Sequence, residues 1–139
     1  MKRGRAVKCV SQRHLADCGT ACLAMLLEIP YGDAAAAVRA VLGDGYQESG
    51  TEAPDLQRAA RRLGVRLRSV RRKREYLDGQ TGILGVMPDG DASDLYPSGH
   101  WCILKAGVII DTDAVVWPSA SDYFRLKRAK PTTLLVKAE

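Results

Sequence analysis

Apolar residues follow a helical spacing in the first half of the chain and a strand-like alternation in the second half. After Cys18, the residues Ala21, Cys22, Met25 and Leu26 recur at helical intervals, and Ala, Leu and Met are good helix formers. Prolines and glycines between such segments mark where helices end. The predicted helices cover 18–28, ending before Pro30; 33–42, with Asp33 as the cap; and a segment that begins after Thr51 and ends at Gly64.

The second half of the chain predicts strands. His100–Lys105 alternates between two faces, Ala106-Gly107 makes a short turn, and 108–111 returns as the second strand of a hairpin. Helices that come before most of the strands predict an α+β fold, in which N-terminal helices pack on a mainly antiparallel sheet. The other predicted strands are 7–10, 65–70, 83–86 and 132–137.

The composition is that of one ordinary globular domain. The chain has 139 residues, of which 46% are hydrophobic and 27% charged, so we expect a single domain over 1–139. No apolar stretch reaches the roughly 20 residues that span a bilayer, and no apolar core of about 7–15 residues follows the basic N-terminus. Four cysteines without a framework pattern fit a reducing compartment. A cytoplasmic location and no membrane span are therefore predicted.

The first candidate for chemistry is Cys18, which opens the first predicted helix. A cysteine attacks as the thiolate, which a helix N-terminus or a nearby imidazolium stabilises. Asp17 is a suitable cap, so the sulfur would lie in the first turn, where unpaired N–H groups favour negative charge. Gly19 leaves room beside the sulfur for a substrate backbone. The alternative is that Cys18 is a buried apolar residue, as most isolated cysteines are.

His100 and Asp111 are the candidates for base and orienting carboxylate. His100 begins the predicted hairpin and Asp111 ends its second strand, so the hairpin can bring the carboxylate to the imidazole. Asp113, two residues further on, is a competing choice for the same role. Asp111 is preferred because it directly ends the apolar run. The alternatives are a polar strand residue for His100 and a turn residue for Asp111.

Gln12 completes the set of candidates, six residues before Cys18. A side-chain amide can donate one hydrogen bond to a developing oxyanion, and the backbone N–H of Cys18 a second. The residue types of Gln12, Cys18, His100 and Asp111, in this chain order, resemble the oxyanion donor, nucleophile, base and orienting carboxylate of a papain-type cysteine peptidase. This order indicates the chemistry and leaves the substrate open.

Three segments resemble the bacteriocin-processing cysteine peptidases, which cleave double-glycine leader peptides and are often fused to peptide-exporting ABC transporters. The segment 12–26 resembles the start of those domains, and 50–65 (GTEAPDLQRAARRLGV) resembles their Gly-Thr, helix and Leu-Gly segment. GHWCILKAGVIIDTD resembles their Gly-His-aromatic strand and the following strand that ends in Asp. The similarity runs in the expected order over roughly 7–137, although Asp111-Thr112 stands where the family usually has Asp-Pro.

The resemblance implies a papain-like peptidase with Cys18 as nucleophile, His100 as base, Asp111 as orienting carboxylate and Gln12 as oxyanion donor. It also implies a peptide or protein substrate with a small-residue, Gly-Gly-like cleavage site, and no cofactor. Deamidases and deconjugating enzymes use the same parts. The alternative function is a non-catalytic peptidase-like module that binds a protein or nucleic acid through its groove or its Arg-rich surface.

Three residues beside the predicted nucleophile and base are candidates for substrate contact: Gly19, Gly99 and Trp101. The loop 88–99 directly precedes His100, so it would border the cleft unless it is only a solvated connector. Trp101 would form a wall of the cleft, or else pack in the core, which is the commoner place for a tryptophan.

A basic stretch is the main competing signal. Nine Lys or Arg residues and no acidic residue occur in 58–74, and the net charge of the chain is +5. Such a cluster can neutralise phosphates, but this one lacks interleaved aromatic residues and matches no nucleic-acid-binding signature. We therefore favour an acidic peptide or a partner protein over nucleic acid, and expect much of the helical part to be a solvated face.

A metal site is considered and not predicted. His14, Cys18 and Cys22 are spaced four apart, which would align them on one helix face as ligands. A helix that starts at Cys18 leaves His14 outside it, so the set is broken. Cys22 is expected in the core. Cys102 shares a strand face with His100 and would either line the site or pack.

Overall fold

The computed structural model describes residues 17–44, 50–70, 79–88, 99–113 and 115–138. In these ranges four helices and one six-stranded antiparallel sheet are present, which confirms the predicted α+β class. The strand predicted at 7–10 lies outside the described residues. The helices are α1 (Cys18–Leu27), α2 (Tyr31–Leu42), α3 (Ala53–Arg62) and α4 (Ala120–Lys127); the strands are β1 (Leu67–Val70), β2 (Thr81–Pro88), β3 (His100–Lys105), β4 (Val108–Ile110), β5 (Val116–Trp117) and β6 (Ala129–Lys137).

A tight turn separates the first two helices. Glu28 adopts the left-handed backbone conformation, with φ of 57°, and its N–H bonds to the carbonyl of Ala24, which ends α1. The second helix begins at Tyr31 instead of after Asp33, because Pro30 is its N-cap and the fixed φ of proline leads directly into a helix. Asp33 lies in the first turn, where its charge interacts favourably with the helix dipole.

A reciprocal pair of hydrogen bonds fixes the N-terminus of the third helix. The Asp55 carboxylate accepts a hydrogen bond from the backbone N–H of Glu52 at 2.9 Å, and the Glu52 side chain accepts one from the N–H of Asp55 in return. This reciprocal capping box fixes the helix start at Ala53, two residues after Thr51. Gly64, with φ of 84°, then turns the chain toward β1.

The sheet has the strand order β1-β6-β2-β3-β4-β5 with antiparallel neighbours throughout. The hairpin between β3 and β4 turns at Ala106-Gly107, both with positive φ, as a tight turn that matches strand twist requires. Ile103 pairs with Ile110 across this hairpin. The sequence predicted Asp111 as the last residue of this strand. In the structure β4 ends at Ile110, so Asp111 is the first residue after it.

Two elements near the C-terminus were missed by the sequence reasoning. The strand β5 has only two residues, too few for an alternation to be visible. The helix α4 is short and mostly polar, but it had a local signal: the Ser119 side chain accepts a hydrogen bond from the N–H of Asp122 at 3.2 Å, which is an N-cap. The strand β6 also starts three residues before the predicted 132, at Ala129.

The sheet is covered on both faces. The helices α1 and α3 pack on one face, with α2 lying against both of them, and α4 packs on the other. Along β3, Trp101 and Ile103 join the apolar cluster beneath α1 to α3, whereas Cys102 and Leu104 join the cluster beneath α4. The strand that begins with His100 therefore lies between two separate layers of the core. In the described ranges, no helix is long and apolar enough to cross a membrane.

Candidate active site

Cys18 is the first residue of α1, as the sequence predicted, and it is 9% exposed. Asp17 occupies the N-cap position, but its side chain makes no cap hydrogen bond to the helix. Instead, the buried Asp17 carboxylate accepts a hydrogen bond from the hydroxyl of Tyr31, so the predicted capping role is wrong. The Asp17 side chain therefore does not cap the backbone N–H groups of the first turn, which carry the positive end of the helix dipole.

Trp101 brings a backbone donor to the sulfur. The N–H of Trp101 points at Cys18 Sγ from 3.4 Å, a geometry that favours negative charge on the sulfur. The indole N–H of the same residue donates to the carbonyl oxygen of Thr51 at 2.9 Å. The indole ring lies across β2 at Gly85, where an added Cβ would approach within 2.9 Å of Cζ3. Trp101 is thus fixed at its side chain while its backbone faces the thiol.

Gly19 has a packing reason to lack a side chain. A Cβ at this position would lie 2.1 Å from the Thr51 hydroxyl oxygen, 3.1 Å from Leu56 and 3.2 Å from Trp101. The space beside Gly19 is therefore filled by α3 and its preceding segment, and it is not open to a substrate on that side. Substrate contact by Gly19 stays a prediction.

His100 and Asp111 lie side by side. His100 Nε2 is 2.6 Å from Asp111 Oδ1, and both residues are largely buried. The carboxylate is held by two further donors, the N–H of Thr112 at 2.8 Å and the hydroxyl of Tyr123 at 3.2 Å. Asp113 is exposed and accepts a hydrogen bond from the N–H of Val115, so Asp111 is the aspartate that reaches the imidazole.

The electrostatics of the pair favour charge on both partners. Burial alone would lower the pKa of His100, but hydrogen bonds with Asp111 and Cys18, and the charges of both, raise that pKa to about 9. Burial alone would raise the pKa of Asp111, but the hydrogen bond and charge of His100, followed by the Thr112 and Tyr123 donors, lower it below its ordinary value. His100 is therefore an imidazolium near neutral pH, with the sulfur on one side and a carboxylate on the other.

The other two described cysteines lack this environment. Burial raises the pKa of the Cys22 and Cys102 thiols well above the ordinary value, and neither side chain is exposed. Cys22 packs in the core as predicted, and Cys102 packs in the cluster beneath α4 with its thiol directed at the carbonyl of Leu84. At neutral pH these two thiols are protonated and shielded from solvent.

The remaining predicted site residues fall in different places. Gln12, the predicted oxyanion donor, and His14 lie outside the described residues. Gly99 is exposed and immediately precedes His100. Within the described part of the chain, no three His, Cys, Asp or Glu side chains are grouped so that they could hold a metal ion. Thr51 and Tyr123 take part in the site, and the sequence assigned neither of them a role there. Thr51 belongs to the Gly-Thr segment of the family resemblance, whereas Tyr123 belongs to no recognisable motif.

Comparison with known proteins gives these residues a context. The sequence model of the peptidase C39 family matches residues 6–83, a stretch that contains Cys18 and ends before His100 and Asp111. No curated protein matches the chain.

Two solved structures share the architecture. A double-glycine-motif protease from an AMS/PCAT transporter, crystallised in complex with the leader peptide, is similar with a TM-score of 0.65 and 20% identity, over 96% of this chain and 93% of that one. The peptidase domain of Streptococcus ComA, a bifunctional ABC transporter of a quorum-sensing pathway, is similar with a TM-score of 0.55 and 20% identity, over 93% and 86%. At this identity the likeness establishes the fold, a papain-like peptidase domain.

Proposed function

The chain belongs to the peptidase C39 family of cysteine peptidases, and from this premise we propose that it cleaves peptides through a triad of Cys18, His100 and Asp111. The observation that carries the proposal is the continuous set of contacts from the Cys18 sulfur to the His100 ring and on to the Asp111 carboxylate. A base held between a nucleophile and an orienting carboxylate is the arrangement that acyl-transfer enzymes on unrelated folds share.

The reaction proceeds in two halves. The Cys18 thiolate attacks the carbonyl carbon of the scissile bond, and the His100 imidazolium gives its proton to the leaving amine as the C–N bond breaks. Neutral His100 then takes a proton from water, which attacks the thioester carbon and breaks the C–S bond. This step restores thiolate and imidazolium, while the Asp111 carboxylate keeps the ring in one orientation.

Backbone donors support the negative charges that develop. The N–H of Trp101 favours the thiolate before attack. We assign the N–H of Cys18, in the first turn of α1, to the oxyanion, together with the side-chain amide of Gln12. The Gln12 part of this assignment rests on the sequence alone.

We propose a substrate with small residues, Gly-Gly or similar, before the scissile bond. A leader peptide bound to the similar double-glycine-motif protease supports a peptide substrate for this chain. Gly19, Gly99 and Trp101 stay predicted contacts of that peptide. The cytoplasmic location and the single domain over 1–139 likewise stay predictions from the sequence.

Cleavage of matched peptides tests the proposal. The intact chain is incubated with peptides that carry Gly-Gly at one position and with otherwise identical peptides that carry Leu-Leu, and products are identified by mass spectrometry. We expect cleavage after Gly-Gly with kcat/KM at least about tenfold above that for Leu-Leu, because a narrow subsite rejects added methylenes by such factors. Equal cleavage would contradict the small-residue specificity, and no cleavage of any peptide would contradict the peptidase assignment.

Tyr123 is a positioning residue in this proposal, and Tyr123→Phe tests it. The substitution keeps the ring that packs edge-on against Trp117 and Phe124, and removes the hydroxyl that holds Asp111 Oδ2. We expect kcat to fall about three- to tenfold with KM unchanged, since one buried hydrogen bond contributes about 1 kcal/mol. The measurement is steady-state kinetics well below the melting temperature of the variant. A lower melting temperature with unchanged kcat would mean that the hydroxyl only supports the fold.

A further inference from the structure

A pocket apart from the proposed triad lies between α3 and the start of β1. Its volume is about 250 Å³. The described residues that line it are Pro54, Gln57, Arg58, Arg61, Arg66 and Leu67. Three of these six carry a permanent positive charge, and none carries a negative one. Its three arginines belong to the basic stretch 58–74 of the sequence, of which the structure describes residues 58–70.

Helical geometry explains why the cationic groups converge. Positions 54, 57, 58 and 61 are three or four residues apart, so they share one side of α3. Arg66 comes from the segment that leads into β1 and also lines the pocket. The Gln57 side chain donates to the carbonyl oxygen of Leu67 at 3.1 Å, which ties helix and strand together beside the pocket.

Among the residues that the structure describes, few acidic groups neutralise the positive charges of the pocket. The segment 53–70 contains five arginines and a single acidic residue, Asp55. Asp55 contacts Arg58 only at the long distance of 3.5 Å, and its other oxygen serves the helix start. In the described ranges no carboxylate pairs with Arg61 or Arg66. A guanidinium offers five N–H donors, so the pocket holds many unused donors for an anion.

The pocket is close to the proposed nucleophile. Leu56, the neighbour of Gln57, lies against Gly19, which follows Cys18 in the chain. Thr51 also packs against Gly19, and Pro54 lies only three positions further along the chain. Three residues span at most about 10 Å, so a bound peptide needs only a few residues beyond the cleavage site to reach the pocket.

We propose that this pocket binds acidic side chains of the peptide substrate at a distance from the scissile bond. The inference rests on the proposed function, because the occupant is part of the same peptide that Cys18 attacks. Carboxylates suit the pocket because guanidinium groups bind them in a bidentate manner. Nucleic acid suits it less, because none of the described residues that line the pocket is aromatic and could stack on a base.

Binding of a defined probe tests the pocket without requiring turnover. A fluorescein-labelled oligoglutamate peptide is titrated with the full chain, and its fluorescence anisotropy is compared with that of labelled oligoglutamine and of single-stranded oligothymidine. The variant Arg61→Gln/Arg66→Gln is compared with Arg39→Gln/Arg125→Gln, which removes the same charge from exposed arginines elsewhere. We expect the pocket variant to bind oligoglutamate about tenfold more weakly and the control variant within about twofold of the parent chain.

Cleavage kinetics connect the pocket to the peptidase. With Gly-Gly peptides, replacing Glu by Gln near the cleavage site should lower kcat/KM for the parent chain and not for the pocket variant. If both variants lost oligoglutamate binding equally, the proposal would be overturned, because the net positive charge of the protein would then explain the binding without the pocket. Tighter binding of oligothymidine that depends on Arg61 and Arg66 would overturn it in favour of nucleic acid. Binding that follows the prediction without peptide cleavage would leave the pocket standing as an acidic-peptide site and reject only the proposed chemistry.

Discussion

Replacing Cys18 with alanine should abolish peptide cleavage while leaving the fold intact. Without the sulfur no thioester forms, and loss of a covalent nucleophile lowers kcat by roughly four or more orders of magnitude. The fold should persist because the change removes a single atom at the start of α1, and the sulfur contacts there are hydrogen bonds with the N–H of Trp101 and with His100. Product formation is measured by mass spectrometry and the fold by circular dichroism.

The chain supplies its own controls for this experiment. Cys22→Ala and Cys102→Ala also remove one thiol each, but from buried positions in the two core clusters. These variants should lose about 1 kcal/mol of stability or somewhat more, and they should keep their turnover at temperatures where they are folded. Turnover retained in Cys18→Ala, or lost in a folded Cys22→Ala, would refute the assignment of the nucleophile.

Removing the imidazole with His100→Ala should abolish turnover and also remove the reactivity of the Cys18 thiol in weakly acidic solution. Below pH about 9 His100 is protonated in the parent chain, and its positive charge stabilises a thiolate beside it. An ordinary thiol with a reference pKa of about 8.5 is only about 1% ionised at pH 6.5. We therefore expect iodoacetamide to alkylate Cys18 at least about tenfold more slowly in the variant at that pH.

The dependence of kcat/KM on pH in the parent enzyme is a second test of the predicted charge on His100. As the pH rises through about 9, His100 loses its proton and can no longer protonate the leaving amine, so kcat/KM should fall on the alkaline side. Alkylation of all four cysteines is mapped by mass spectrometry, with buried Cys22 and Cys102 as internal references. Equal alkylation of Cys18 in parent and variant at weakly acidic pH would contradict a thiolate–imidazolium pair.

The sequence predicted those parts of the site whose structure depends on residues close together in the chain. The short Ala106-Gly107 turn and the apolar strands on either side of it predicted the hairpin, and the hairpin register brings Asp111 beside the start of β3. The position of Cys18 at a helix start followed from the apolar spacing after it. The fold class followed from the order of helices and strands. The catalytic roles themselves stay predictions, because proximity is not yet reactivity.

Contacts between distant segments account for what was missed. Tyr123 reaches Asp111 from a short polar helix whose only local signal is the Ser119 cap. Thr51 meets the indole of Trp101 across 50 residues of chain, and nothing around Thr51 indicates such a partner. Asp17 looked like a helix cap because capping statistics are local, whereas its real partner, Tyr31, becomes available only when α2 packs beside α1.

The position of His100 between two core layers links the proposed triad to cooperative unfolding. Its proposed nucleophilic partner lies on a helix of one layer, while Asp111 is held by Tyr123 from the other layer. If either layer opened alone, one of these contacts would be lost although half of the core remained packed. The proposed triad geometry therefore needs both layers to be closed at once, because opening of either one removes a contact of His100 or of its partner Asp111.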